Sequence, residues 1–135
     1  MARLTGKESV VVLAGGNNID RGDGTEEIMN EYGAVVKKLK DRGVSVTMVG
    51  PSSRGHFGLY QQSKVYSVNA RLKAMCVKEG VDYVEIGARK QDRMRMLARD
   101  GVHFSRSGVQ KAGRIIYSSL KRHLNLPMVV VATGI

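Results

Sequence analysis

The chain has 135 residues, 42% of them apolar and 25% charged, a composition that supports one folded domain and excludes wholesale disorder. Its longest apolar runs are too short to span a bilayer, and its first residues form no signal-peptide core. A single cysteine, Cys76, excludes an internal disulfide and fits a reducing, intracellular compartment. The net charge of +10 is uneven: residues 1–50 balance seven basic against seven acidic side chains, whereas residues 101–135 carry five basic and no acidic ones. Such a field favours anionic substrates, anionic lipid or nucleic acid, and it also serves as a solubilising surface.

Residues 9–14 (SVVVLA) are an unbroken, mostly β-branched run, the pattern of a strand covered on both faces in a parallel sheet. The polar GGNN of residues 15–18 follows at that strand's carboxyl end, where open α/β sheets bind ligands. Asp23 or Thr25 is the expected N-cap of a helix whose apolar face is Ile28, Tyr32, Val35, Val36 and Leu39, closed by Gly43. Val44, Val46 and Met48 predict a second strand, stopped at Gly50-Pro51, and complete a right-handed β–α–β unit. Residues 51–63 show no period and read as a loop.

A second helix follows, with Val68, Leu72, Met75 and Cys76 on one face and Gly80 at its end, so Cys76 reads as a core filler. Residues 81–86 predict a third strand. Arg89, Lys90, Arg93, Arg95 and Arg99 then lead into Asp100-Gly101-Val102-His103. Ser105 or Ser107 is the expected cap of a last helix lined by Val109, Ala112, Ile116 and Leu120 and carrying Lys111, Arg114, Lys121 and Arg122 over the rest of its surface. The apolar run of residues 128–132 predicts a terminal strand.

An Asp and a His three residues apart can serve one catalytic centre, the imidazole taking a proton while the carboxylate fixes its tautomer. GGNN after the first strand and DGVH before the last helix resemble, in order and spacing, the G-x-N-D and D-x-x-H blocks of the SGNH/GDSL hydrolases. The resemblance covers nearly the whole chain from Glu8 to Asn125. It implies a three-layer α/β/α, flavodoxin-like parallel sheet forming one domain over residues 1–135, with ester hydrolysis of carboxylic esters or O-acetyl groups and no cofactor. It assigns His103 as general base, Asp100 as its orienting carboxylate, and Asn17 with Gly15 to the oxyanion hole. Asn18 stands where the family has Asp.

The family's first two blocks, the strand bearing the G-D-S nucleophile and the glycine block, have no counterpart ahead of residue 9, so the fold is expected to be truncated on its N-terminal side. Ser9, Ser52, Ser53, Ser105, Ser107 and Thr133 are candidate substitutes, each better explained by a structural role. The family's first strand lies beside the strand carrying G-x-N. The edge formed by Val10, Val11, Val12 and Leu13 is therefore expected to pair either with residues 128–132 or with a second chain, as in a homo-oligomer. An alternative reading is a non-catalytic domain whose basic face (Arg89, Lys90, Arg93, Arg95, Arg99, Lys111 and Arg114) binds RNA or DNA. A metal-dependent phosphoesterase using Asn17, Asp100 and His103 as ligands has little support, because no H-x-H or paired-carboxylate cluster is present.

Overall fold

In the computed structural model, which describes residues 8–89, 105–119 and 128–132, the elements run β1 (Ser9–Leu13), α1 (Gly16–Arg21), α2 (Thr25–Asp41), β2 (Ser45–Val49), α3 (Leu59–Glu79), β3 (Asp82–Val84), α4 (Arg106–Ser119) and β4 (Met128–Ala132). All strand pairs are parallel, in the order β3-β2-β1-β4.

Successive side chains of a strand point to opposite faces, and β1 is apolar on both. Val10 and Val12 pack with Ile19 of α1, Ile28, Tyr32 and Leu39 of α2, and Val65, Val68 and Leu72 of α3. Val11 and Leu13 face the other way, against Ala112, Ile115 and Ile116 of α4. The result is the expected three-layer α/β/α arrangement. Val10, Val11 and Val12 are all but completely buried, and each contributes on the order of 1.5–3 kcal/mol relative to exposure.

The terminal strand settles the expected edge problem. β4 pairs with β1 along its whole length, from Ser9 opposite Met128 to Leu13 opposite Ala132. The edge of β1 is thus covered within the chain, and the carboxyl ends of β1 and β4 lie side by side. The crossovers through α2 and α3 lie on one face and α4 on the other, so the chain builds outward from β1 in one direction and returns to its far side, the doubly wound pattern.

Several boundaries differ from the expectation. Gly24 occupies the N-cap of α2 in extended backbone, and no side chain caps the helix. The Asp23 carboxylate is held instead by Arg21 and by the Asn18 amide. α3 begins at Leu59, inside the stretch read as a loop, because its first turn hides the period: Leu59 and Tyr60 are exposed while Gln62 is buried. Gln61 Oε1 accepts the Gly58 N–H at 3.0 Å, half of a capping box. β3 is shorter than expected, since only Asp82–Val84 pair with β2.

In α4, Val109 is 58% exposed and does not share the core face, which is Ala112 with Ile115 and Ile116. Ser105 is the cap: its Oγ accepts the Gly108 N–H at 3.1 Å. Leu120, Lys121 and Arg122 lie outside the described residues. No helix among the described residues is long and apolar enough to cross a membrane.

Candidate active site

The GGNN segment turns the chain from β1 straight into α1. Gly15 adopts φ 103°, a conformation side-chain-bearing residues rarely take, and its carbonyl accepts the Ile19 N–H at 3.2 Å. Space demands glycine there as well. The Tyr32 hydroxyl, which donates to the Ala14 carbonyl at 2.9 Å, would lie well inside contact distance of any Cβ on Gly15.

This turn sends the next two side chains in opposite directions. Asn18 is fully buried, and its Nδ2 donates to Asp23 at 3.0 Å and Glu31 at 2.8 Å. Asn17 is exposed, and its Oδ1 accepts from Arg54 Nη2 at 2.6 Å. A guanidinium can only donate, so the orientation of the Asn17 amide follows from chemistry: its oxygen faces Arg54 and its NH2 is the end left over. Arg54 Nη1 donates to Asp20 Oδ2 at 2.6 Å, and His56 Nε2 meets Asp20 Oδ1 at 2.8 Å. The hydrogen bond with His56, then the pairing with Arg54, hold the Asp20 carboxyl below its ordinary range.

A cleft of about 170 Å³ opens at the carboxyl ends of the strands, bounded by Gly16 and Asn17 after β1, Pro51, Ser52 and Arg54 after β2, and Ile86 after β3. Its floor is fixed by Asn69 of α3. Nδ2 of that buried side chain donates to the carbonyls of Pro51 at 2.8 Å and Val65 at 2.9 Å, and its Oδ1 accepts the Tyr83 hydroxyl at 2.6 Å. Every polar group of the amide is thereby used, which suits it to a buried site.

Ser52, Ser53, Ser105 and Ser107 have hydrogen-bond partners, whereas the buried Ser9 Oγ has none among the described residues. Ser52 Oγ donates to the Ile86 carbonyl at 2.7 Å. Ser53 is buried and donates to Gln62, whose Nε2 donates in turn to the Ala88 carbonyl at 2.7 Å. Ser9 is buried at the amino end of β1, the opposite edge from the cleft. Ser105 caps α4, and the hydroxyl of exposed Ser107 lies 3.2 Å from it.

Of the residues expected in the site, Asn17 lines the cleft, whereas Gly15 is buried and the adjoining Gly16 takes its place in the wall. Asp100, His103 and Thr133 lie outside the described residues, as do Lys90, Arg93, Arg95 and Arg99. Arg89 is exposed beyond β3, and Lys111 and Arg114 are exposed on α4. Asp20, Arg54 and His56 were not anticipated. The available signal was position: an aperiodic stretch directly after a strand of a parallel sheet lies at the ligand-binding edge, and this one contains Arg54 and His56. Among the described residues no group of three or more His, Cys, Asp or Glu side chains could hold a metal ion.

The sequence profile of the GDSL-like lipase/acylhydrolase family matches residues 2–111. The chain belongs to that family.

Several solved structures share this fold at low sequence identity. A Bacteroides fragilis protein described as an acylhydrolase superposes with TM-score 0.70 at 20% identity, over 86% of this chain and 62% of that one. A GDSL-like lipase from Bacteroides thetaiotaomicron gives 0.70 at 16% identity, over 83% and 61%. The OSK domain of Drosophila Oskar gives 0.70 at 15% identity, over 88% and 64%. At these identities the likeness is one of fold. The chain spans less than two thirds of the length of each of these structures. No curated protein matches it closely in sequence.

Proposed function

We propose that this SGNH-type domain carries the oxyanion and acid–base half of an ester-hydrolase centre for carboxylic esters or O-acetyl groups, without a serine nucleophile of its own. The observation that carries the reading is the Asn17 carboxamide, held at the cleft wall with its oxygen on Arg54 and its NH2 uncommitted among the described residues. As the ester carbonyl becomes tetrahedral its oxygen gains charge, and an N–H donor placed there stabilises that state more than the ground state. His103 is the proposed base and Asp100 its orienting carboxylate. Ser52 and Ser53, the serines that follow β2, already donate their hydroxyls to neighbours, which supports the absence of an activated serine.

The test is hydrolysis of p-nitrophenyl acetate by the wild-type chain and by Asn17→Ala and His103→Ala. Slow turnover that falls in both variants, without labelling by a fluorophosphonate probe, is expected. Equal rates in all three proteins would remove the catalytic reading, and fluorophosphonate labelling would remove the claim that no serine is activated.

A second reading, a binding domain for RNA or DNA, draws on α4. That helix has no acidic residue, and Arg106, Lys111 and Arg114 are all exposed on it. Among the described residues none of the three forms an ion pair. Affinity for single-stranded RNA that falls steeply with salt, and falls again in an Arg106→Glu/Arg114→Glu double variant, is the expected result. Salt-independent binding contradicts it.

A further inference from the structure

We infer that Arg54 is a positioning residue: by bridging Asn17 and Asp20 it locks the Asn17 carboxamide with its NH2 end presented to the cleft. This rests on the proposed role of Asn17 as an oxyanion donor.

An exposed asparagine on a six-residue helix has nothing in its own element to hold its rotamer. A donor that must be frozen at the moment of reaction loses part of its value to that ordering. Arg54 supplies the missing constraint. Its two terminal nitrogens reach residues three apart on α1, Asn17 and Asp20, each at 2.6 Å, and residues so spaced share one helix face. The side chain is only 17% exposed although it springs from a loop. The same loop holds α1 a second time through His56, which meets the other oxygen of Asp20 at 2.8 Å. Asp20 is thus gripped from both sides, and Arg54 cannot swing away without breaking that arrangement.

The second glycine of GGNN fits the same account. A Cβ on Gly16 would lie 3.0 Å from Arg54 Nη2 and 3.5 Å from Cζ and Nε, so the guanidinium packs closely against this glycine and a side chain there would push it aside by a few tenths of an ångström. The charge matters too. Asp20 neutralises Arg54, so the pair orients Asn17 rather than forming a general anion trap. A cationic donor on the amide oxygen also polarises the group and strengthens the donor character of its N–H bonds. Lysine cannot reproduce this, because one compact ammonium does not span two acceptors in a planar fork.

The experiment follows the Asn17 side-chain NH2 by 15N relaxation in wild type, Arg54→Lys and Asp20→Asn, with the backbone amides of β1 and α1 reporting that the fold is intact. The expected result is a rigid NH2 in wild type that becomes mobile in both variants. Alongside it, kcat for p-nitrophenyl acetate should fall about tenfold in both at little-changed KM. An NH2 equally rigid in both variants overturns the inference, and so does a loosened NH2 with unchanged kcat. If instead Asn17→Ala leaves hydrolysis unaffected, the oxyanion reading itself fails, which relaxation alone would not show, so the two failures are distinguishable. Asp20→Asn keeps the inference testable should Arg54→Lys fail to fold.

Discussion

The Asn18 carboxamide donates to the Glu31 carboxylate at 2.8 Å, and the same nitrogen reaches Asp23 at 3.0 Å, so one buried amide ties α1 to the following turn and to α2. The resemblance read from the sequence implies an aspartate at this position. A carboxylate here would lose both hydrogen bonds and, itself fully buried, would stand beside two like charges. Asn18→Asp is therefore expected to cost about 1–3 kcal/mol at pH 7. Its sign can be checked by pH. Burial and repulsion raise the native pKa of the introduced acid above its unfolded value, so the penalty applies above that native pKa and shrinks as pH falls through it. Urea unfolding of both proteins at pH 7 and pH 4.5 measures the change.

Gly15→Ala meets two obstacles, the positive φ and the Tyr32 hydroxyl. The backbone part alone costs about 1–2 kcal/mol. Tyr32→Phe removes the obstructing oxygen but leaves the Ala14 carbonyl without its donor, a loss of about 1 kcal/mol. Since each change relieves part of the other's cost, the double variant should be less destabilised than the sum of the singles. Thermal unfolding in a double-mutant cycle checks this, and strict additivity would show that the hydroxyl does not limit the site.

Much of this architecture was legible in the chain, and the misses share a cause. The valines of β1 and the period of α2 identify themselves because their burial is two-sided or strictly periodic. The start of α3 does not, since Leu59 and Tyr60 are exposed while Gln62 and Lys64 are buried. Gln62 is held by Ser53 and the Ala88 carbonyl, and Lys64 donates to the Asp23 carbonyl at 2.6 Å; such long-range partners leave no local pattern. Asn17 could be recognised from its motif. Arg54 could not, because its role depends on a contact across 37 positions of sequence.

Cys76 is almost completely buried in the core between α3 and the sheet, and burial pushes its thiol up to about 11. At pH 8 only about one thiol in a thousand would be ionised even if a reagent could reach it. Modification by a disulfide reagent is accordingly expected to be slow in the native protein and to accelerate in step with unfolding as urea is added. Rapid, stoichiometric labelling without urea would show that the α3 face opens locally rather than with the whole fold.

The Asp20 carboxyl gives the acid limb of stability a specific origin. Its native pKa lies below the ordinary value, first through the hydrogen bond with His56 and then through Arg54. The unfolded chain, with the higher pKa, binds the proton more readily, so stability rises with pH through this range. The contribution is fully present above the unfolded pKa near 4 and is lost as pH falls through the lower native value. Because the carboxylate is partly exposed, solvent screening keeps the effect modest. Asp20→Asn should therefore flatten the fall in unfolding temperature below about pH 4 relative to wild type, while lowering stability slightly at pH 7. Parallel acid limbs in the two proteins would mean that the ion pairs of Asp20 add nothing to folding, and that their consequence is confined to the geometry of Arg54 and Asn17.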